Sequence, residues 1–146
     1  MRRAGLNDVQ AVRDLTRLAY AKWVPLIGRE PLPMTADYQR AVVEHMIDLY
    51  EVEGDLHALI ETIAENDHLL IENLAVHPSQ QGKGLGELLL AHARNLAREL
   101  GYDEIRLYTN AAFAANIDFY AKRGFAEYAR EAFPKGGTLV RMRQSL

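Results

Sequence analysis

Residues 68–100, HLLIENLAVHPSQQGKGLGELLLAHARNLAREL, decide how the rest of the chain is read. The stretch begins as a near-continuous apolar run over 68–76, the pattern of a strand buried between neighbours. A turn containing Pro78 follows. Three alternating glycines, Gly82, Gly84 and Gly86, then lead without a break into a long helix. Leu88, Leu89, Leu90, Ala93, Leu96, Ala97 and Leu100 fall at helical spacing and give that helix one apolar face. A glycine loop that opens a helix aims several backbone N–H groups in one direction. With the positive end of the helix dipole, those donors make an anion site.

Downstream, Gly101 stops the helix and 102–109 (YDEIRLYT) reads as a strand. Strand, helix and strand in succession predict a parallel pair. A helix over 113–123 ends at Gly124, and 125–131 and 138–142 read as two last strands about a turn at 134–137. Upstream, 2–4 reads as a short edge strand. Asn7 is the expected N-cap of a helix over 8–22, with Asp8 in its first turn. Residues 22–35 carry Pro25, Pro31 and Pro33 among Trp23, Val24, Leu26, Ile27 and Leu32. So apolar a loop packs on something, either as a cover for core or as a lid. Thr35 is the expected cap of a helix over 36–45. Strands at 46–51 and 56–64 flank a turn at 52–55, which reads as a hairpin, although the Ala and Leu content of 56–64 also suits a helix. The fold class is therefore α/β (α+β) in one domain over 1–146. A mixed, mostly antiparallel sheet of about six to seven strands carries helices on both faces.

Composition narrows the function. There is no cysteine, so thiolate metal sites, iron–sulfur clusters and a cysteine nucleophile are excluded. The five histidines do not share ligand spacing, and no metal is expected. The formal net charge is −3 with both signs interspersed, and no basic stripe marks a nucleic-acid binder. No apolar run suits a membrane span or a signal peptide, which points to a cytoplasmic protein.

Two familiar phosphate loops fail here. A Walker A loop needs Gly-Lys-Ser/Thr at its end, and no Ser or Thr follows Gly84. A Rossmann fingerprint needs G-x-G-x-x-G straight after a strand, and here the spacing is G-x-G-x-G after a five-residue turn. Gln81-Gly82-Lys83-Gly84-Leu85-Gly86 instead resembles the Q/R-x-x-G-x-G/A loop of the GNAT superfamily of acyl-CoA-dependent N-acetyltransferases. Asn116-Ile117-Asp118-Phe119-Tyr120 with Gly124-Phe125 resembles that superfamily's N-x-x-x-Y-x-x-x-G-F segment. The order of elements agrees over nearly the whole chain.

The resemblance implies acetyl-CoA as co-substrate. Its pyrophosphate would rest on amides from Gln81, Gly82, Lys83, Gly84, Leu85, Gly86 and Glu87, with Lys83 adding a screened charge. Glycine at 84 and 86 would admit the oxygens closely, because no Cβ intervenes. It implies a strand splayed at Leu74-Ala75-Val76, opposite 107–109, where pantetheine completes the backbone pairing. Tyr120 would be the general acid, with Asn116 one turn before it on the cofactor. Core packing beside Phe119 is the competing reading of Tyr120. Glu72 would be the base, sharing strand parity with Leu74 and Val76 barring a bulge; a salt-bridged structural glutamate competes.

The acceptor would be a small-molecule or protein amine. Its expected walls are Tyr20, Trp23, the 24–34 loop, Tyr50, Glu72 and Thr109. The superfamily often has glycine where this chain has Ala58, early in its third strand. A catalytically silent acyl-CoA-binding domain and a nucleotide-phosphate binder stay open as alternatives. Nucleic-acid and membrane partners are not expected, and a homodimer through a sheet edge or the last hairpin stays open.

Overall fold

A computed structural model describes residues 1–146. Its strands are β1 (Arg2–Arg3), β2 (Met46–Val52), β3 (Asp55–Ala64), β4 (Leu69–Val76), β5 (Glu104–Asn110), β6 (Ala126–Ala132) and β7 (Thr138–Ser145). Its helices are α1 (Val9–Tyr20), α2 (Val24–Ile27), α3 (Leu32–Thr35), α4 (Tyr38–Glu44), α5 (Leu85–Glu99) and α6 (Ala114–Ala121). All strands join one seven-stranded sheet in the order β1-β2-β3-β4-β5-β7-β6. Only β4 and β5 run parallel, and α5 makes the crossover between them. No helix is long and apolar enough to cross a membrane.

The two sheet faces hold separate cores because side chains alternate along a strand. On one face Ala58, Ile60, Leu69 and Ile71 pack with Leu89, Leu90, Ala93 and Ala97 of α5. On the other, Ile47, Leu49, Leu59 and Ala75 pack with Val12, Leu15 and Ala19 of α1 and Tyr38 and Ala41 of α4. Leu89 and Leu90 are fully buried, and each such side chain contributes about 1.5–3 kcal/mol of transfer free energy.

Several boundaries differ from the sequence reading. Asn7 is not the cap of the first helix: Asp8 accepts the Gly5 N–H at 2.8 Å, and a 3-10 turn over Leu6–Asp8 precedes α1. Thr35 ends α3 rather than capping the next helix; the Asp37 carboxylate accepts from Arg40 N–H and caps α4. Residues 22–35 are not an irregular loop. Pro25 sits in the first turn of α2 and Pro33 in that of α3, where a missing N–H costs no helical bond. β4 is more alternating than its composition suggests, with Leu69, Ile71, Asn73 and Ala75 buried and the residues between them partly exposed.

One irregularity in β4 shapes everything that follows. Glu61 pairs with Asn73, but Thr62 pairs with Ile71, so Glu72 is an extra residue with no partner on β3. This β-bulge resets the phase of the strand. Before it, Leu69 and Ile71 face α5; after it, Asn73 and Ala75 face α1 and α4, and Leu74 and Val76 pack on the α5 side.

Candidate active site

The bulge coincides with the end of the parallel pairing. Three residue pairs, from Leu69↔Ile105 to Ile71↔Leu107, join β4 to β5, and then the strands part. β5 continues beside β7 as far as Asn110, so the gap opens on the β4 side. His77 N–H donates to His57 C=O at 2.8 Å, which sets the phase of the antiparallel ladder. Ala75 therefore bonds toward β3, while the N–H and C=O of Leu74 and Val76 turn into the gap. Tyr20 Oη donates to Leu74 C=O at 3.4 Å and Gln81 Nε2 to Val76 C=O at 3.3 Å, which agrees with that direction. Of the predicted segment Leu74-Ala75-Val76, Ala75 does not face the gap. Its side chain is buried in the α1 core and its backbone pairs with Leu59.

The start of α5 opens onto the same gap. The first backbone bond at this end runs from Leu88 N–H to Gly84 C=O, and no amide from Gln81 to Glu87 donates to another protein group. Gly82 and Gly84 hold φ of 77° and 83°, the left-handed region that favours glycine. A Cβ at Gly84 would meet nothing within 4 Å, so this amide run borders open space. Gly86 is a glycine for another reason. A Cβ there would lie 2.7 Å from Phe119 Cζ, so its hydrogen admits α6 rather than a phosphate oxygen. Lys83 does not line the cleft; its Nζ donates to Gln80 Oε1 at 3.3 Å. The cations that line it are Lys22 and Arg123; Lys22 Nζ lies 3.3 Å from Gln81 Oε1 and 5.0 Å from the Trp23 ring. The Glu87 carboxylate would oppose an anion, but it is paired with Arg123, Nε to Oε2 at 2.7 Å. That guanidinium also lies 3.8 Å from the Phe119 ring. The residues present fit a diphosphate: free amides converge, space is open, and the nearby carboxylate is neutralised.

α6 places Asn116 and Tyr120 on the wall of this cleft and also on the wall of a second cleft across β4. Tyr120 is 8 % exposed and packs edge-on to Phe119 and Phe125, at centroid distances of 5.3 and 5.7 Å. It is thus a core side chain whose edge reaches both clefts. Burial pushes its phenol up to about 12, so it holds its proton at neutral pH. Its hydroxyl makes no hydrogen bond to another residue.

The second cleft lies between β4, β5, α2 and α3 and includes Tyr20, Ile27, Leu32, Glu72, Thr109 and Phe113. Most of the predicted acceptor wall is here. Trp23 is not; it stacks on Phe113 at 4.5 Å and faces the α5 cleft. Tyr50 is also elsewhere, on β2 against the α5 core. Glu72 does not share the parity of Leu74 and Val76, because the bulge turns it toward Asn73 and α4. Its Oε1 accepts from Tyr108 Oη at 2.6 Å, and no cation pairs with it. Burial raises the Glu72 carboxyl above its ordinary range, the Tyr108 hydrogen bond partly offsetting this. The competing reading of a salt-bridged structural glutamate is not what the side chain shows.

Sequence reading missed Asn73, Phe113 and Phe133 around this cleft; Arg29 fell within the 24–34 loop and Tyr108 within 107–109, but neither was singled out. Arg29 Nη2 donates to Gly136 C=O at 3.3 Å and its guanidinium lies 5.4 Å from the Phe133 ring, tying the α2–α3 connection to the β6–β7 turn. Tyr108 alternates with the buried Leu107 and Thr109 along β5, a period-two signal; nothing local marked the hairpin.

A seven-stranded sheet parted beside a helix that begins in free amides is the arrangement that the GNAT resemblance implied. Sequence comparison agrees: the profile of the acetyltransferase (GNAT) family matches residues 11–125. The chain belongs to that family. It is 38% identical over 76 residues to the streptothricin acetyltransferase of Streptomyces lavendulae, covering 51% of this chain and 40% of the relative. It is 36% identical over 90 residues to an amino-acid acetyltransferase of Neisseria meningitidis, covering 60% of this chain and 20% of that protein. The chain thus spans less than half the length of either relative. Among solved structures, the PaiA N-acetyltransferase of Thermoplasma acidophilum, in complex with coenzyme A, superposes with a TM-score of 0.80 at 17% identity. That match covers 99% of this chain and 97% of the other. The IAA acetyltransferase of Bacillus cereus gives 0.78 at 19% identity, covering 99% and 97%. At such identities the likeness is one of fold.

Proposed function

We propose that the protein transfers an acetyl group from acetyl-CoA to an amine by direct attack. The observation that carries this reading is the meeting of two clefts at Tyr120. One is bordered by the free amides of α5, and the other is apolar and holds an unpaired carboxylate. Bound acetyl-CoA would supply an activated acyl carbon. Amides of 81–87 would hold its diphosphate, and the backbone N–H groups of Leu74 and Val76 that turn into the gap would pair with its pantetheine carbonyls. Glu72 takes a proton from the incoming ammonium, directly or through water, and leaves a neutral amine. The Val76 N–H, turned into the gap, stabilises charge developing on the carbonyl oxygen. The neutral amine attacks the acyl carbon; as the carbon–sulfur bond breaks, Tyr120 gives its proton to the departing thiolate, and the proton the nitrogen sheds in becoming an amide returns through water to the phenolate. Asn116, one helical turn away, positions the cofactor beside it.

A thiol-release assay with acetyl-CoA across classes of amine tests the reading. Release that depends on an amine, and is lost in Gly84→Glu together with calorimetric acetyl-CoA binding, is the expected result. Tight binding with no release from any amine would instead describe a silent acyl-CoA-binding domain.

A further inference from the structure

The apolar acceptor cleft does not end at Glu72. Leu32, Pro33, Asn73 and Tyr108 also wall a polar cleft that continues beneath α3 and α4 to Glu44, His45 and Glu61. Four carboxylates line this continuation, and cations offset them only in part. Glu44 pairs with Arg40 on the exposed rim, Nε to Oε1 at 2.9 Å. Glu61, 3 % exposed, has His45 Nδ1 at 2.6 Å from its Oε2. Glu72 has only the neutral phenol of Tyr108. Asp37, also on this wall, is occupied as the α4 cap.

A second observation points the same way. Asn73 is 2 % exposed and stands where the two clefts join. The Tyr38 hydroxyl proton is committed to Pro33 C=O at 2.6 Å, so Tyr38 Oη accepts from Asn73 Nδ2 at 3.2 Å. Nδ2 also donates to Thr16 Oγ1 at 3.2 Å. This fixes the amide orientation, and Asn73 Oδ1 is left as a buried acceptor without a donor. The opposite end of the acceptor cleft carries Arg29, which lines it beside Phe133 and would repel a cation.

We infer that the polar cleft is a subsite for a second cationic group of the acceptor, remote from the amine that reacts. The acceptor class is then a linear amine with two or more cationic centres. Its reacting nitrogen lies between Glu72 and Tyr120, and its distal ammonium donates toward Asn73 Oδ1 and Glu61. This rests on the acetyl-transfer reading and names its acceptor. Burial holds Glu61, like Glu72, above the ordinary carboxylate range, and an entering cation favours the ionised form of both.

The test is calorimetric titration, with coenzyme A present, of putrescine against n-butylamine and of cadaverine against n-pentylamine. Each diamine is expected to bind at least about tenfold tighter than its monoamine, as a charge-assisted contact to a buried carboxylate allows. The advantage should shrink with added salt. In Glu61→Gln, checked for native circular dichroism, it should fall to about twofold while monoamine affinity stays unchanged. Equal affinity within each pair in the wild type would overturn the subsite, as would an undiminished preference in folded Glu61→Gln. Thiol release in the same samples reports separately on the chemistry. Turnover without diamine preference keeps acetyl transfer and removes the subsite. A binding preference without turnover does the reverse.

Discussion

Tyr120 and Glu72 face the same physical problem, burial of an ionisable group, and it moves both in the direction the proposed chemistry needs. Desolvation favours the neutral form, so the phenol keeps its proton and the carboxyl becomes a stronger base than an exposed one. Tyr120→Phe leaves the ring packing intact and removes only the donor. It is expected to lower kcat by on the order of 10²-fold with calorimetric acetyl-CoA affinity retained. Wild-type turnover in that variant would remove Tyr120 as the acid. For Glu72 the sign follows from its raised pKa. The base works when ionised, so kcat/KM rises with pH through a midpoint above the usual glutamate value of about 4.3. Glu72→Gln should flatten that acidic limb, and a limb that persists unchanged would assign it to another group.

At the scale of elements, α5 and α6 meet where Gly86 lets Phe119 approach. A methyl at 86 overlaps the ring, whereas a methyl at 84 meets open space but carries the strain of φ 83°. Gly86→Ala is therefore expected to cost about 1–3 kcal/mol by overpacking, read from urea midpoints. Phe119→Leu should restore part of the loss in the double variant. If the two changes add independently, the contact is not the reason for glycine at 86. The lid-like stretch at 22–35 shows a related lesson. Its prolines read as loop signals, yet each of Pro25 and Pro33 opens a short helix, because first-turn residues need no N–H. Apolar content predicted that it packs; only neighbouring elements showed that it roofs the acceptor cleft.

For the whole molecule, the gap between β4 and β5 is a split in an otherwise continuous sheet, with backbone groups on its β4 side that no strand pairs. A ligand that completes the pairing binds the folded chain alone and must stabilise it. Coenzyme A at about a hundredfold over its Kd should add about 2.7 kcal/mol. For a domain of this size that raises Tm by roughly 5–10 °C, at about 2–4 °C per kcal/mol. Pantetheine without the diphosphate should give a smaller shift, and Gly84→Glu none. A coenzyme A shift that survives Gly84→Glu would separate the amides of α5 from the site.

Local pattern was enough for the strand–loop–helix core of the fold, because apolar spacing, glycine and proline report backbone preference wherever the chain folds. The two motifs at 81–86 and 116–125 likewise brought the cofactor side into view before any packing was known. The bulge at Glu72 was not legible, since an extra residue in a strand appears only when its partner strand is in place. That single insertion decided that Glu72 faces Asn73 and α4 instead of following Leu74 and Val76, and that Ala75 bonds inward. The substitution of Lys22 for Lys83 beside the loop, and the joining of Glu61 from β3 to Glu72 from β4, were also tertiary outcomes. They depend on which residues distant in sequence are brought to one wall, and periodicity along a chain carries no record of that.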